Sequence, residues 1–268
     1  MLASPTLSAS RAHADPWTAL DAELDRWRAA GRTATFWWRD DDATAPGPAL
    51  DRLLGLASRY DAPVGLAIIP KDATEALADR LAASANVGVL QHGWAHANHA
   101  GPGEKKMELG DHRPASLVAD ELRAGFDRLS VLFGSRFLPT LVPPWNRIGS
   151  ALGPHLAEIG FAGLSLFGAR AQRLRDGLVL ANTHVDPIAW RDDREFTGTN
   201  TALAALIGHL SDRRGGLVDP DEATGLLTHH LAHDEATWSF LERCLEALAS
   251  HSAARLSPAD TVFRASDP

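Results

Sequence analysis

Seven short apolar segments punctuate the chain, at residues 33–38, 64–69, 87–90, 137–142, 162–167, 178–184 and 225–229. They lack the strict alternation of apolar and polar residues that marks a sheet with one wet face, so they read as strands covered on both sides. Most are separated by stretches of helical periodicity, at 48–60, 74–83, 117–133, 150–159 and 201–210. In the third of these Val118, Leu122, Phe126, Leu129 and Phe133 share one face. A first helix starts at Asp15-Pro16, an N-cap followed by Pro in the first turn, and a last capped helix carries Trp238, Leu241, Leu245 and Leu248. Strands joined by helices pair in parallel, because a helical crossover returns the chain to the same edge. The expected fold is α/β: one distorted parallel (β/α) barrel of about seven strands. It is expected to occupy residues 15–268 as a single domain, behind a disordered N-terminal tail at 1–14. The strand at 178–184 is reached by a loop, and the polar, Gly-containing stretches 101–113 and 192–199 are expected over the barrel mouth.

Composition removes several function classes. The formal net charge of -8 is the wrong sign for a chain that grips phosphate backbones, so no nucleic-acid partner is expected. Cys244 is the only cysteine, which excludes an intrachain disulfide and four-thiolate metal sites. Any bound metal must use His and carboxylate. No run approaches the roughly 20 apolar residues of a membrane span, and the first residues hold no apolar stretch of the signal-peptide kind. A cytoplasmic location is expected; the sequence leaves the oligomeric state open.

In parallel barrels functional side chains gather at the C-terminal ends of strands. Five strand ends carry unusual polar clusters: Asp40-Asp41-Asp42, then His92-Gly93-Trp94-Ala95-His96, Pro143-Pro144-Trp145-Asn146-Arg147, Asn182-Thr183-His184-Val185-Asp186, and Thr228-His229-His230. Taken singly each has a plainer reading, as a solvated turn, a strand terminator or core. Together they converge on one mouth. The spacing of His92 and His96 puts two imidazoles on one side of a helical turn, a pattern that suits a metal. Of the 12 His residues, His112, His155, His209 and His251 fall where no acids converge and are read as structural. Glu104-Lys105-Lys106 and Arg213-Arg214 read as solvated faces.

In this order the clusters resemble the polysaccharide deacetylase (NodB-homology) family, over roughly residues 33 to 262, as a divergent branch. The resemblance implies Asp41 as catalytic base, Asp42, His92 and His96 as metal ligands, and His229 as the acid, with Asp186 beside it. It implies a substrate cleft built by Pro144, Trp145, Arg147 and Trp190, to which Trp94 adds a flat apolar surface. The family's third motif has an Arg two residues before the Pro, in contact with the base. This chain has Val142 there, which leaves Arg39 or Arg147 as replacements. Two registers stay open: Asp40-Asp41 in place of Asp41-Asp42, and His230 in place of His229. The implied cofactor is a divalent metal, zinc first, with cobalt, nickel or manganese as alternatives. The implied activity is hydrolysis of an acetyl or other acyl group from an N-acylated sugar or glycan. Rival readings are a metal hydrolase of other C-N or ester bonds, and a catalytically silent glycan-binding protein on the same scaffold.

Overall fold

The computed structural model describes residues 15–191 and 193–264; the tail expected at 1–14 lies outside them. All seven expected strands are present, as β1 (Ala34–Ala43), β2 (Val64–Ile68), β3 (Val87–His92), β4 (Phe137–Val142), β5 (Gly163–Leu164), β7 (Leu178–Leu180) and β8 (Thr224–Thr228). Two further strands, β6 (Leu174–Arg175) and β9 (Ala254–Leu256), were not expected; at two and three residues they are too short to show a period. The helices are α1 (Trp17–Ala29), α2 (Pro48–Arg59), α3 (Glu75–Ala82), α4 (Ala115–Phe133), α5 (Gly153–Ile159), α6 (Thr199–Gly215), α7 (Glu235–Ser250) and α8 (Ala259–Val262). Among the described residues no helix is long and apolar enough to cross a membrane.

The strands lie in the order β6-β7-β5-β4-β3-β2-β1-β8, all parallel except the β6-β7 hairpin, and β9 pairs with the first half of β1. The sheet curls until its ends meet. Beyond β7 the polar segment 182–185 leaves regular pairing: Thr183 bridges back to Phe167 beyond β5, and Val185 bridges across to Leu226 of β8. The Trp37 indole N–H donates to the Asn182 carbonyl at 2.9 Å and fastens this closure. The result is a distorted, parallel-dominated α/β barrel.

Period-two alternation along β1 divides the molecule. Phe36 and Trp38 face outward into the main core beneath the helices, while Trp37 joins Ala67, Leu90, Val142, Val179, Ala181 and Phe263 in the barrel interior. Each such fully buried large side chain contributes roughly 1.5–3 kcal/mol. Phe263, just after α8, plugs the end of the barrel remote from the mouth. Gly163 makes room for it, since a Cβ there would lie 2.7 Å from the Phe263 ring and 2.6 Å from Thr140 Oγ1.

Arg213 corrects the reading of Arg213-Arg214 as a solvated face. It is 1% exposed, lies 5.0 Å from the Trp27 ring and donates to the Thr35 carbonyl and Thr224 Oγ1. Burial pulls its pKa down to about 10. A long stem that crosses an apolar surface to reach carbonyls leaves no trace in a charge pattern. Arg214 instead pairs with Glu23 of α1 at 2.8 Å.

Candidate metal centre and cleft

The site begins where β1 bends. Alternation carries Trp37, Arg39 and Asp41 up the barrel interior and turns Asp40 away. The pairing of β1 with β2 then shifts register between Asp40 and Ala43, and Asp42 adopts a left-handed φ of 73°. That bend lets two successive carboxylates face the mouth, which a straight strand forbids. Non-glycine residues in this region cost roughly 1–3 kcal/mol each and cluster at functional sites. Here His96, Trp145 and Asn146 are also left-handed, with φ of 52°, 57° and 55°.

Asp42 Oδ1 lies 3.2 Å from His92 Nε2 and 3.4 Å from His96 Nε2. The His92 Nδ1 donates to the Val142 carbonyl at 2.9 Å, which fixes the tautomer and leaves the Nε2 lone pair directed at Asp42. Asp42 Oδ1 is buried and receives no hydrogen bond. Three donors spaced in this way suit one ion: at bond lengths of about 2.0–2.1 Å, tetrahedral ligands sit roughly 3.4 Å apart. The electrostatics agree. Burial pushes Asp42 up, but the imidazoles around it, His92 first, outweigh this and hold it well below the usual carboxylate range. Burial and His92 together push His96 down. For His92 burial pulls down, yet the Asp41 and Asp42 carboxylates raise it.

The expected helical turn between the two histidines is not there. His92 ends β3 and His96 sits in a loop, because the chain reverses at Gly93 with φ 57°. No side chain fits at that position, since a Cβ would meet Glu108 Oε2 at 2.0 Å and Pro144 at 2.7 Å.

Asp41 is 2% exposed and is gripped by Arg39, whose Nε and Nη2 donate to its two oxygens at 2.9 and 3.0 Å. Arg39 is itself fully buried, and it also donates to Asn146 Oδ1 and Ser165 Oγ, both at 2.7 Å. Of the two candidates for an arginine on Asp41, the structure places Arg39 there. Arg147 donates instead to the Lys106 carbonyl. Across the cleft His229 Nε2 stands 4.0 Å from Asp41 Oδ2, with its ring against the edge of Trp190 at 4.6 Å. The Trp190 indole N–H and the Ile188 amide donate to the two oxygens of Asp186, at 2.7 and 3.0 Å. Burial raises Asp186 above the usual carboxylate range, against a smaller downward pull from His229.

Asp40 and His230 form a separate, buried pair. His230 Nδ1 and Asp40 Oδ1 are in hydrogen-bond contact, and the His230 amide and Thr228 hydroxyl donate to the other oxygen at 3.0 and 2.6 Å. Burial pushes Asp40 up, but His230 outweighs it and leaves Asp40 lowered; burial pushes His230 down, but Asp40 leaves it raised.

Asp41, Asp42, His92, His96, Trp145, Arg147, Asp186, Trp190 and His229 all line one cleft of about 460 Å³. Trp94 and Pro144 do not. The backbone of Trp94 is tied to Lys71 and Glu108, and Pro144 is buried against the Gly93 turn. Asn146, Phe167, Arg191 and Leu227 complete the lining; the sequence reading assigned a role to none of them, and none to Glu108. Arg39 carried a visible signal, since two residues apart on one strand means one face.

A second cluster, His184, His209 and Glu222, also brings three potential ligand atoms within 4.8 Å of one another. Its hydrogen bonding opposes an ion. His184 Nδ1 accepts the Gly225 N–H at 2.9 Å, so the ring hydrogen sits on Nε2, which faces Glu222 Oε2 at 3.4 Å. The two rings stack at 3.5 Å and 18°, so an ion in the plane of one lies out of the plane of the other.

No protein-family model matches the sequence, and a search of curated proteins finds no match. Solved structures do match across most of the chain. A structure from Mycobacterium smegmatis described as a polysaccharide deacetylase superposes with a TM-score of 0.64 at 15% identity, covering 87% of this chain and 90% of that one. A family 4 carbohydrate esterase from Streptomyces lividans, in complex with acetate, gives 0.57 at 14% identity, over 88% and 98%. A family 4 acetyl xylan esterase from Clostridium thermocellum, in complex with a cobalt ion, gives 0.54 at 13% identity, over 85% and 90%. The barrel is therefore the NodB-like fold that the sequence motifs resemble.

Proposed function

We propose that this chain is a metal-dependent hydrolase that removes an acetyl or related acyl group from an N-acylated sugar or glycan, as a divergent polysaccharide deacetylase. The observation that carries the reading is the convergence, in one cleft of this fold, of an Asp42-His92-His96 triad with the Arg39-held Asp41 carboxylate and a facing imidazole. The fold neighbours, described as deacetylases and carbohydrate esterases, support it.

Asp42, His92 and His96 would hold one divalent ion, zinc or a similar cation, which when bound supplies a Lewis acid and lowers the pKa of a coordinated water. Asp41 is the proton acceptor: Arg39 fixes both its oxygens, and Asn146 fixes Arg39, so its orientation is set before substrate arrives. His229, on the opposite wall, is placed to hand a proton to the leaving nitrogen. Asp186 and Trp190 hold each other and the His229 ring in position. A backbone N–H at Trp145 would serve as a further oxyanion donor, and Trp145, Trp190 and Phe167, which line the cleft, would offer flat faces to a sugar ring. The Arg39 grip on Asp41 supplies an arginine where Val142 leaves none, which favours the hydrolase reading over a catalytically silent scaffold.

The test is acetate release from N-acetylglucosamine oligomers and from an O-acetylated xylan, run side by side with protein stripped by chelator and reloaded with zinc or cobalt. Release that requires the ion and disappears in Asp42→Ala supports the reading. Release from the xylan alone moves it to an esterase, and full activity in the stripped protein rejects it.

A further inference from the structure

We infer that Glu108 is a positioning residue for the metal ligand His96, an inference that rests on the metal-centre reading above. Glu108 lies in the segment between β3 and α4, twelve residues beyond His96, and is 1% exposed. Its carboxylate accepts three hydrogen bonds from backbone N–H groups of the ligand loop: Trp94 at 3.2 Å, Ala95 at 2.7 Å and Ala97 at 3.4 Å. Two of those donors bracket His96, the residue whose φ of 52° the backbone disfavours. One side chain thus braces the loop on both sides of its strained position.

The brace is anchored to the adjacent wall of the cleft. Beside Glu108, Leu109 bridges to Ile148, its carbonyl accepts the Gly149 N–H at 2.6 Å, and Arg147 donates to Lys106 at 2.8 Å. On that wall Trp145 packs its ring against His96 at 4.4 Å. The Glu108 side chain therefore ties the His96 loop to the segment that faces it. Burying a carboxylate among backbone amides costs desolvation that a neutral loop would avoid, and the fold needs no charge to close a turn. A ligand that must point at an ion does need a fixed backbone, and supporting groups of this kind typically matter roughly 10–100-fold in metal affinity.

The experiment is a Co²⁺ titration of the full chain, read by the visible absorption of the bound ion, with the thermal midpoint of the metal-free protein measured alongside. Glu108→Gln keeps the shape but replaces one acceptor oxygen by a donor facing the loop amides. It should weaken Co²⁺ binding by about 10–100-fold and alter the absorption spectrum, while circular dichroism remains that of the folded protein. Should the Gln variant not fold, Glu108→Asp, which keeps the charge and withdraws it by one methylene, should show the same weakening in milder form. A role confined to general stability would lower the thermal midpoint and leave the spectrum and affinity of the folded fraction unchanged; that result overturns the inference. Wild-type protein that takes up no Co²⁺ overturns the metal-centre reading and this inference with it, whereas normal uptake matched by the variants overturns this inference alone.

Discussion

Replacing Arg39 tests what holds the proposed base. In Arg39→Met the stem is kept and the guanidinium is lost, so Asp41 stays 2% exposed without its partner, and Asn146 Oδ1 and Ser165 Oγ each lose a donor. Leaving one member of a buried ion pair uncompensated costs roughly 3–5 kcal/mol. In a chain of this size each kcal/mol lowers Tm by about 2–4 °C, so the midpoint should fall by about 6–20 °C. Arg39→Lys keeps the charge, yet a single ammonium cannot span both Asp41 oxygens and Asn146 as the planar fork does, so its loss should be intermediate. Adding Asp41→Asn to Arg39→Met removes the stranded charge, and the double variant should be more stable than the sum of the two single losses. Calorimetric unfolding of wild type, Arg39→Met, Arg39→Lys, Asp41→Asn and the double variant at neutral pH reads all of this. An Arg39→Met midpoint within 2 °C of wild type, or strict additivity in the double variant, would refute the claim that this pair organises the site.

Asp41→Asn should retain the ion and lose roughly two to four orders of magnitude in turnover, the usual worth of a general base, whereas Asp42→Ala should lose the ion; metal content measured beside acetate release separates the two, and the reverse pattern would move the motif to Asp40-Asp41. The Asp40-His230 pair predicts a two-sided pH profile. Asp40, lowered in the fold, contributes stability above the usual carboxylate range that is lost as pH falls through its folded pKa; His230, raised in the fold, contributes stability below about pH 6.5 that is lost as pH rises through its folded pKa. Tm measured against pH should therefore lose both limbs in a His230→Ala, Asp40→Ala double variant, and a profile of unchanged shape would contradict the assignment. Cys244, fully buried with its thiol pushed up to about 12, should resist a disulfide reagent in the native protein and react once urea unfolds it.

The barrel was legible because strands buried on both faces are apolar throughout, and seven such runs leave few other architectures. The residues that gather in the cleft were legible where they sat at strand ends. Less visible was everything set by loop geometry. The four-residue spacing of His92 and His96 suggests a helix, yet Gly93 turns the chain the other way and the pair meets at Asp42 through a loop. Residue spacing cannot report that turn, because it follows from the Glu108 carboxylate and Pro144 crowding the same space. Glu108 itself is one acid in a polar stretch, with no pattern to distinguish it from Glu104. Arg213 shows the same limit in the core: its charge suggests solvent, while its stem lies against Trp27 and its head reaches Thr35 and Thr224. Partner choice, which spacing cannot report, favours one of each pair of registers: Asp40 and His230 take each other and leave Asp41, Asp42 and His229 to the cleft.

The most direct test of the central claim is an anomalous difference map at the zinc absorption edge from crystals of the zinc-loaded protein. The account predicts one strong peak within about 2.0–2.2 Å of Asp42, His92 and His96, and none among His184, His209 and Glu222. A peak at the second cluster with none at Asp42, or no peak in fully loaded crystals, would contradict it.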